Sequence, residues 1–272
     1  MKGRDLYRPL MMKWGSILLV AGGIIGSVLV ENAHALRPFR AATDAAVVDP
    51  GKVEVELGFD VSRNTRGDND ETSYALPSVG FNIGVVDWFE VDIGTGFELT
   101  DDDQEDRTLG SASDTELTFK TLWWKGEEEA PSLATEVSLN IPTARKEFQP
   151  DEKRRVGVTG LVALSGEAGP LRYILNLGGG AEPSAKDADY VGVSLWAVAG
   201  ELTIADRVAL VTEFQGKVMP EAEADTTALL GLTYTTPGGV KFDIAGFAGL
   251  TDGSDNWGIT FGLTYAFPIS GK

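Results

Sequence analysis

Apolar and polar residues alternate along most of this chain, and the alternation is clearest between Asn256 and Phe267. Every second residue from Trp257 onward is apolar, and the residues between are small or polar. A period of two is typical of a β-strand with one apolar and one polar face. The stretch also has about the 9–11 residues that a tilted strand needs to cross a lipid bilayer. An outer strand of a soluble β-sandwich would show the same pattern, so this stretch alone does not distinguish the two folds.

The same rhythm recurs along the chain and predicts twelve strands. The connections between them alternate between long and short, beginning with a long link at 64–72 and a short one at 86–87. Long loops at one end and tight turns at the other are typical of an outer-membrane barrel with an even strand number and both termini in the periplasm. A Greek-key sandwich has no reason to sort its connections in this way. The twelve expected strands are 52–62, 73–85, 89–99, 115–124, 133–141, 156–165, 171–180, 190–204, 208–218, 226–235, 240–250 and 256–267.

The sequence therefore predicts an all-β fold, a transmembrane antiparallel up-and-down β-barrel of about twelve strands formed by residues 52–272. Residues 36–51 show no clear period and end in a Pro-Gly turn signal. We expect them to form an N-terminal tail or a plug inside the barrel lumen.

Residues 1–35 have the layout of a secretory signal peptide. Basic residues precede an apolar run at 14–30, and Ala33-His34-Ala35 supplies a small-x-small cleavage site. An N-terminal membrane helix is the alternative, although the run is short and contains several glycines. The signal peptide and the barrel pattern together predict the bacterial outer membrane as the location.

Composition removes several classes of function. The chain has 41 Asp plus Glu against 23 Lys plus Arg, which disfavours a nucleic-acid partner. It has no cysteine, and its one histidine, His34, would leave with the signal peptide. Ser-His and Cys-His nucleophiles and His-based metal sites are therefore excluded, and we expect neither an enzyme nor a cofactor. Catalysis by a Ser-Lys pair or by carboxylates alone stays open.

Charged residues fall on the polar faces of the predicted strands, where they would point into the lumen. They either line a water-filled, cation-preferring path or form ion pairs that fill a narrow barrel, because a charge there must be wet or paired. A twelve-stranded barrel is intermediate in size between the packed eight-stranded and the open 16–18-stranded barrels. Barrel size therefore does not decide between an open path and a lumen filled by ion pairs. Trp196 is added as a ligand-stacking candidate, because its position in SLWAV is read as inward. The lumen-lining candidates are Glu54, Glu56, Asp60, Glu90, Asp92, Glu98, Glu116, Lys120, Glu136, Arg172, Trp196, Glu213, Lys217, Lys241 and Asp243.

Two further features each have a structural and a functional interpretation. The acidic run Asp101–Asp106 could hold divalent cations through oxygen ligands, but such a run is more often a solvated loop. Aromatic residues near the predicted strand ends are typical of the girdles at the two membrane interfaces, and stacking on a ligand in the lumen is the alternative. These aromatics are Trp88, Trp123, Trp124, Tyr173, Tyr234, Trp257, Tyr265 and Phe267.

Two stretches carry resemblances. TFGLTYAF at 260–267 resembles the C-terminal assembly signal of bacterial outer-membrane barrels, with Thr260, Gly262, Tyr265 and Phe267 as its characteristic positions, although the chain continues beyond Phe267. RPFRAATDAAVVDPGKVEVELGFD at 37–60 and LPSVGFNIGVVDWFEVDIGTGF at 76–97 resemble the phenol-degradation (MetA-pathway) outer-membrane transporter family, which is similar to hydrophobic-compound channels.

The second resemblance implies passive uptake of small hydrophobic or aromatic compounds. The expected partners are the outer-membrane lipid bilayer, the barrel-assembly machinery and a small hydrophobic substrate. The alternative is a closed structural or surface-interaction barrel, whose lumen is sealed by ion pairs and which transports nothing.

Overall fold

The computed structural model describes residues 37–65, 71–102, 107–127, 129–144, 154–184, 189–220 and 222–269. The predicted signal peptide, 1–35, lies outside the described residues. No helix in the described ranges is long and apolar enough to cross a membrane.

The described residues form antiparallel strands that close on themselves. β1 pairs with both β2 and β13, and β2 also pairs with β3, so the sheet has no open edge at this seam. β4 and β5 pair with successive parts of β3 and together serve as one wall strand, which makes a closed barrel of twelve. This confirms the predicted fold class. The strands are β1 (Lys52–Asn64), β2 (Glu71–Val86), β3 (Phe89–Asp102), β4 (Arg107–Ala112), β5 (Thr115–Trp124), β6 (Ser132–Ile141), β7 (Gly157–Ala168), β8 (Leu171–Pro183), β9 (Tyr190–Ala205), β10 (Val208–Val218), β11 (Asp225–Thr235), β12 (Lys241–Gly249) and β13 (Trp257–Pro268).

One expected loop is largely strand. The link 100–114 was predicted as a long connection, but β3 continues to Asp102 and β4 pairs with it from Phe97 onward. Backbone hydrogen bonds can extend a hairpin beyond the bilayer, where side-chain hydrophobicity no longer marks the strand. The amphipathic period therefore indicates the membrane-crossing part of a strand better than its full length.

The barrel has two unlike ends. Lys52 at the start of β1 pairs with Pro268 at the end of β13, at the same end as the turns at 87–88, 169–170 and 206–207. The connections at the other end include 142–156 and 250–256, which are longer. Trp88, Trp123 and Trp124 lie at the short-turn end with more than half of each side chain exposed. Exposed indoles at a barrel rim are typical of the membrane interface.

The two faces of the wall differ as the alternation predicts. On β13, Trp257, Ile259 and Phe261 are each about half exposed, whereas Thr260 and Thr264 are buried on the other face. Phe261 stacks on Phe59 of β1 across the seam, with ring centroids 5.0 Å apart. Exposed apolar side chains recur on the outer face of most strands, and a band of this extent requires lipid rather than water around it.

Candidate functional site: the inner wall and residues 37 to 50

Residues 37–50 run across the inside of the barrel and contact the inner wall from one side to the other. They have no regular secondary structure, so their backbone groups need partners from the strands. The strands supply these partners as side chains. Contacts are made by Arg37 with β12 and β13, Arg40 to Ala42 with β10, Thr43 with β8, Ala45 with β7 and Val48 with β3.

Glu213 of β10 binds the backbone of this segment. Its Oε2 accepts a hydrogen bond from the Arg40 N–H at 2.8 Å, and its Oε1 accepts from Ala41 at 2.9 Å and Ala42 at 2.6 Å. The Glu213 side chain is almost fully buried. Hydrogen bonds to an ionised acceptor are stronger than neutral ones, so three of them compensate for burying a carboxylate.

A buried ion cluster holds the middle of the segment. Lys120 Nζ lies 3.2 Å from Glu136 Oε1 and 3.7 Å from Asp44 Oδ1, and only 1% of the lysine side chain is exposed. Arg172 of β8 reaches the other oxygen of Asp44 at 3.3 Å. Buried charges need paired partners of this kind, since an uncompensated one is costly. Asp44 therefore joins charges from two sides of the barrel.

Neutral hydrogen bonds fix the backbone next to this cluster. The Thr43 N–H donates to Asn176 Oδ1 at 2.9 Å, and Asn176 Nδ2 donates to the Thr43 carbonyl at 2.8 Å. The Ala45 N–H donates to Ser165 Oγ at 2.9 Å, and the Val48 N–H donates to the carboxylate of Glu90. The reciprocal pair at Asn176 imitates the bonding of a β-ladder, so a single side chain replaces a neighbouring strand.

Arg37 lies on the closing seam of the barrel. Its Nη2 is 3.2 Å from Asp243 Oδ1 and donates to Thr260 Oγ1 at 2.6 Å. Gly58 of β1 and Gly262 of β13 face each other in register beneath the guanidinium. A Cβ on either glycine would meet the arginine side chain, so both positions need glycine for this close approach.

Apolar contacts hold the first part of the segment on the opposite side from Lys120. Phe39 packs against two clusters of buried residues, and the Arg40 guanidinium lies 3.6 Å from the centroid of the Phe247 ring. Sequence reasoning missed these contacts because it assigned the inner face to polar residues. The available signal was Phe39 itself, an aromatic residue between two arginines outside any predicted strand. The clusters are Ala42, Ile174, Ala197 and Ala199, and Val211, Leu229, Ala245 and Phe247.

Trp196 lies on the outer face, contrary to the expected inward position. Ala197 and Ala199 face inward, so Trp196 alternates outward. Its indole covers Gly216 on the side of the wall that carries the exposed Phe214. The sequence parity was misread because the inner positions of β9 are alanines rather than polar residues. Glu201 faces inward with these alanines, and its carboxylate lies 3.5 Å from Lys241 Nζ.

The remaining candidates fall into two groups. Lys217 forms an ion pair with Glu182 at 2.7 Å, and with the Lys241–Glu201 pair it lies on the β8–β12 side. On the β1–β5 side, Asn82 Nδ2 donates to Glu54 at 3.3 Å and to Glu56 at 3.2 Å. Asp60, Asp92, Glu98 and Glu116 belong to this second side. Glu182, Glu201, Asn176, Ser165 and Asp44 were not among the sequence candidates, although each contacts one of them or the segment 37–50.

Two cavities lie at the short-turn end of the barrel, and one of them borders the segment. One of about 410 Å³ is lined by residues 46–50 together with Asp87, Leu122 and Arg172. The other, of about 380 Å³, is lined by Glu201, Arg207 and Thr233 among others. Each is large enough for a small organic molecule.

A metal centre is not formed by the described residues, since they contain no group of three or more acidic side chains placed to hold one. Asp101 and Asp102 of the acidic run belong to β3, and residues 103–106 lie outside the described ranges.

Comparison with known proteins identifies the fold. No protein-family model and no curated protein matches the sequence. Among solved structures, the COG4313 outer membrane channel from Pseudomonas putida F1 is similar with a TM-score of 0.65 and 10% identity, over 82% of this chain and 98% of that one. The NanC porin is similar with a TM-score of 0.53 and 10% identity, over 79% and 98%. The chain therefore has the fold of a bacterial outer-membrane β-barrel.

Proposed function

We propose that the protein is an outer-membrane channel for passive uptake of small hydrophobic or aromatic compounds, with residues 37–50 as a plug in its lumen. The observation that carries the proposal is the path of this segment, which contacts β12, β10, β8, β7 and β3 in turn. The segment is held mainly by side chains of the wall and adds no strand to the sheet. It can therefore leave the lumen without breaking the backbone hydrogen bonds between the wall strands. The fold similarity to outer-membrane channels supports the same function.

The solute class rests on the wall and on the family resemblance. Several inner positions of β8–β11 are apolar, among them Ile174, Val211 and Leu229, so a hydrophobic solute would meet an apolar surface once Phe39 has moved. The stretch 37–60 that resembles the phenol-degradation family includes every residue of the plug described above. This overlap supports a plug and a first strand of the kind that the resembled family has.

Export and assembly follow from the same proposal. Residues 1–35 would direct the chain out of the cytoplasm, and the stretch 260–267 would direct insertion by the barrel-assembly machinery. The start of β1 and the end of β13 lie at the short-turn end, which we assign to the periplasm. The plug would then enter from the periplasmic side.

A closed structural barrel is the second candidate, favoured by the buried ion cluster. Lys120, Asp44, Glu136 and Arg172 tie residues 37–50 to β5, β6 and β8, as a permanent seal would. The two candidates differ in whether this seal opens. They therefore differ in whether the barrel conducts any solute.

Liposome swelling separates the two. Purified protein in vesicles is challenged with a neutral phenyl glycoside, with the methyl glycoside as the non-aromatic control, because both cross lipid slowly. The channel proposal expects faster entry of the phenyl compound, and a further increase when residues 37–50 are deleted. Entry no faster than into protein-free vesicles, for both forms in a folded state, would support the closed barrel.

A further inference from the structure

The inner wall contains a recess at two neighbouring glycines of β2 and β3. Gly80 of β2 and Gly94 of β3 are register partners, so two adjacent positions of the wall have no side chain. A Cβ on Gly94 would have no atom within 4 Å, and one on Gly80 would meet only the Glu56 side chain. The recess is therefore open space at the level of the wall backbone.

Acidic side chains border this recess on both sides. Glu56 pairs in register with Gly80, and Glu116 of β5 pairs with Gly94. Two residues along the strands, on the same face, Asn82 pairs with Asp92 and forms the next edge. The Glu116 side chain is exposed, so this side of the recess opens into the lumen.

Buried carboxylate oxygens next to the recess have no donor. Glu54 is completely buried, and while its Oε1 accepts from Asn82, its Oε2 has no hydrogen-bond partner. Asp92 Oδ1 is likewise buried without a partner. The amide of Asn82 joins Glu54 and Glu56, so the orphaned acceptors belong to the same polar group as the recess. A buried acceptor without a donor is costly unless a ligand supplies one.

We infer that the recess binds the ammonium group of a small amine solute. A primary ammonium carries a positive charge and three N–H donors, which match carboxylates around a side-chain-free floor. A metal ion fits less well, since among the described residues no three acidic groups are placed to coordinate one. The inference narrows the proposed solutes to small hydrophobic compounds that carry an amine, and it rests on the proposed channel function.

Calorimetric titration of the full-length protein in detergent with propylammonium chloride at low salt tests this. Binding does not require conduction, so a failed transport assay and a failed binding assay are distinguishable. We expect saturable binding of propylammonium and none of 1-propanol. Asp92→Asn removes charge at the recess, and Gly94→Val fills the recess without changing charge. Each should weaken binding about tenfold or more.

Matched controls separate the site from general effects. Glu201→Gln removes a lumenal charge on the opposite side of the barrel, where Glu201 pairs with Lys241. Gly192→Val adds the same bulk at a glycine that also has open space around it, on the outer face. Both should bind within about twofold of the parent. No saturable binding by the folded parent, or parent-like binding by Gly94→Val, overturns the inference.

Discussion

The two sides of the inner wall hold residues 37–50 by different physical means. On the β8–β12 side, Phe39 packs into apolar clusters and Glu213 accepts three backbone hydrogen bonds. On the β3–β6 side, Lys120 and Glu136 form a buried cluster with Asp44. Apolar burial is lost gradually as a contact is trimmed, whereas removing one member of a buried ion cluster leaves the others uncompensated. The charged side should therefore be the more sensitive to a single substitution.

A single reporter can measure both sides. The chain has no cysteine, so Ala45→Cys adds one thiol at a fully buried position of the segment. The rate at which a membrane-impermeant maleimide labels it in vesicles reports how often the segment leaves the wall. A change of about 1.4 kcal/mol in the docking free energy alters that rate about tenfold. The docking predictions below use this background.

Lys120→Met should have the largest effect on docking. It leaves Glu136 and Asp44 without their buried cation, and breaking a buried pair costs about 3–5 kcal/mol. We expect labelling to rise more than a hundredfold. Lys52→Met is the control, because the Lys52–Asp49 pair is partly exposed and such pairs contribute at most about 1 kcal/mol. Similar labelling of the two variants would refute the buried-cluster account.

A charge on the outer face should act on the whole barrel rather than on the segment. Phe261→Lys places a cation at an exposed apolar position of β13, and at the bilayer midplane this costs about 2–4 kcal/mol of folding free energy. Guanidinium titration in lipid vesicles measures it, with Phe261→Leu as control. A variant as stable as the parent would mean that this face does not contact lipid.

Glu213→Gln should have an intermediate effect on docking. The amide keeps one oxygen as an acceptor. Its NH₂ group replaces the second carboxylate oxygen and cannot accept a hydrogen bond from the backbone N–H groups that face it. Hydrogen bonds to charged groups are worth about 1.5–3 kcal/mol, so labelling should rise about tenfold to a hundredfold. Glu182→Gln is the control for loss of an inner carboxylate, because Glu182 pairs with Lys217 rather than with the segment. An unchanged labelling rate in Glu213→Gln would show that its carboxylate does not hold the segment.

Phe39→Ala should have the smallest effect of the docking series. Phe39 is only partly buried against the two clusters, so we expect about 1–2 kcal/mol, below the range for a fully buried phenylalanine. Labelling should rise about tenfold. If it rises as much as in Lys120→Met, the apolar side dominates and the comparison is reversed.

Sequence alone predicts the barrel because a wall strand between lipid and lumen must alternate, and β13 shows this at every position from Trp257 to Phe267. It does not predict what the inner surface contacts, because residues 37–50 lie against that surface. Ala197 and Ala199 face inward, where Phe39 and Ala42 give them apolar partners. Because the segment rather than water contacts this part of the wall, the inner positions of β9 are apolar, and Trp196 was wrongly expected to face inward. Asp44 forms ion pairs with Lys120 and Arg172, but it lies in a stretch without a periodic pattern, so the sequence does not identify it as a contact residue.

Single-channel conductance in planar bilayers tests the central claim most directly. Full-length protein and a variant lacking residues 37–50 are compared in the same potassium chloride solution, with heat-modifiable mobility as the check that both are folded. The plug account predicts a clearly higher conductance for the variant, since the segment crosses the space through which ions would pass. Equal conductance of the two folded proteins, or none from either, would contradict it.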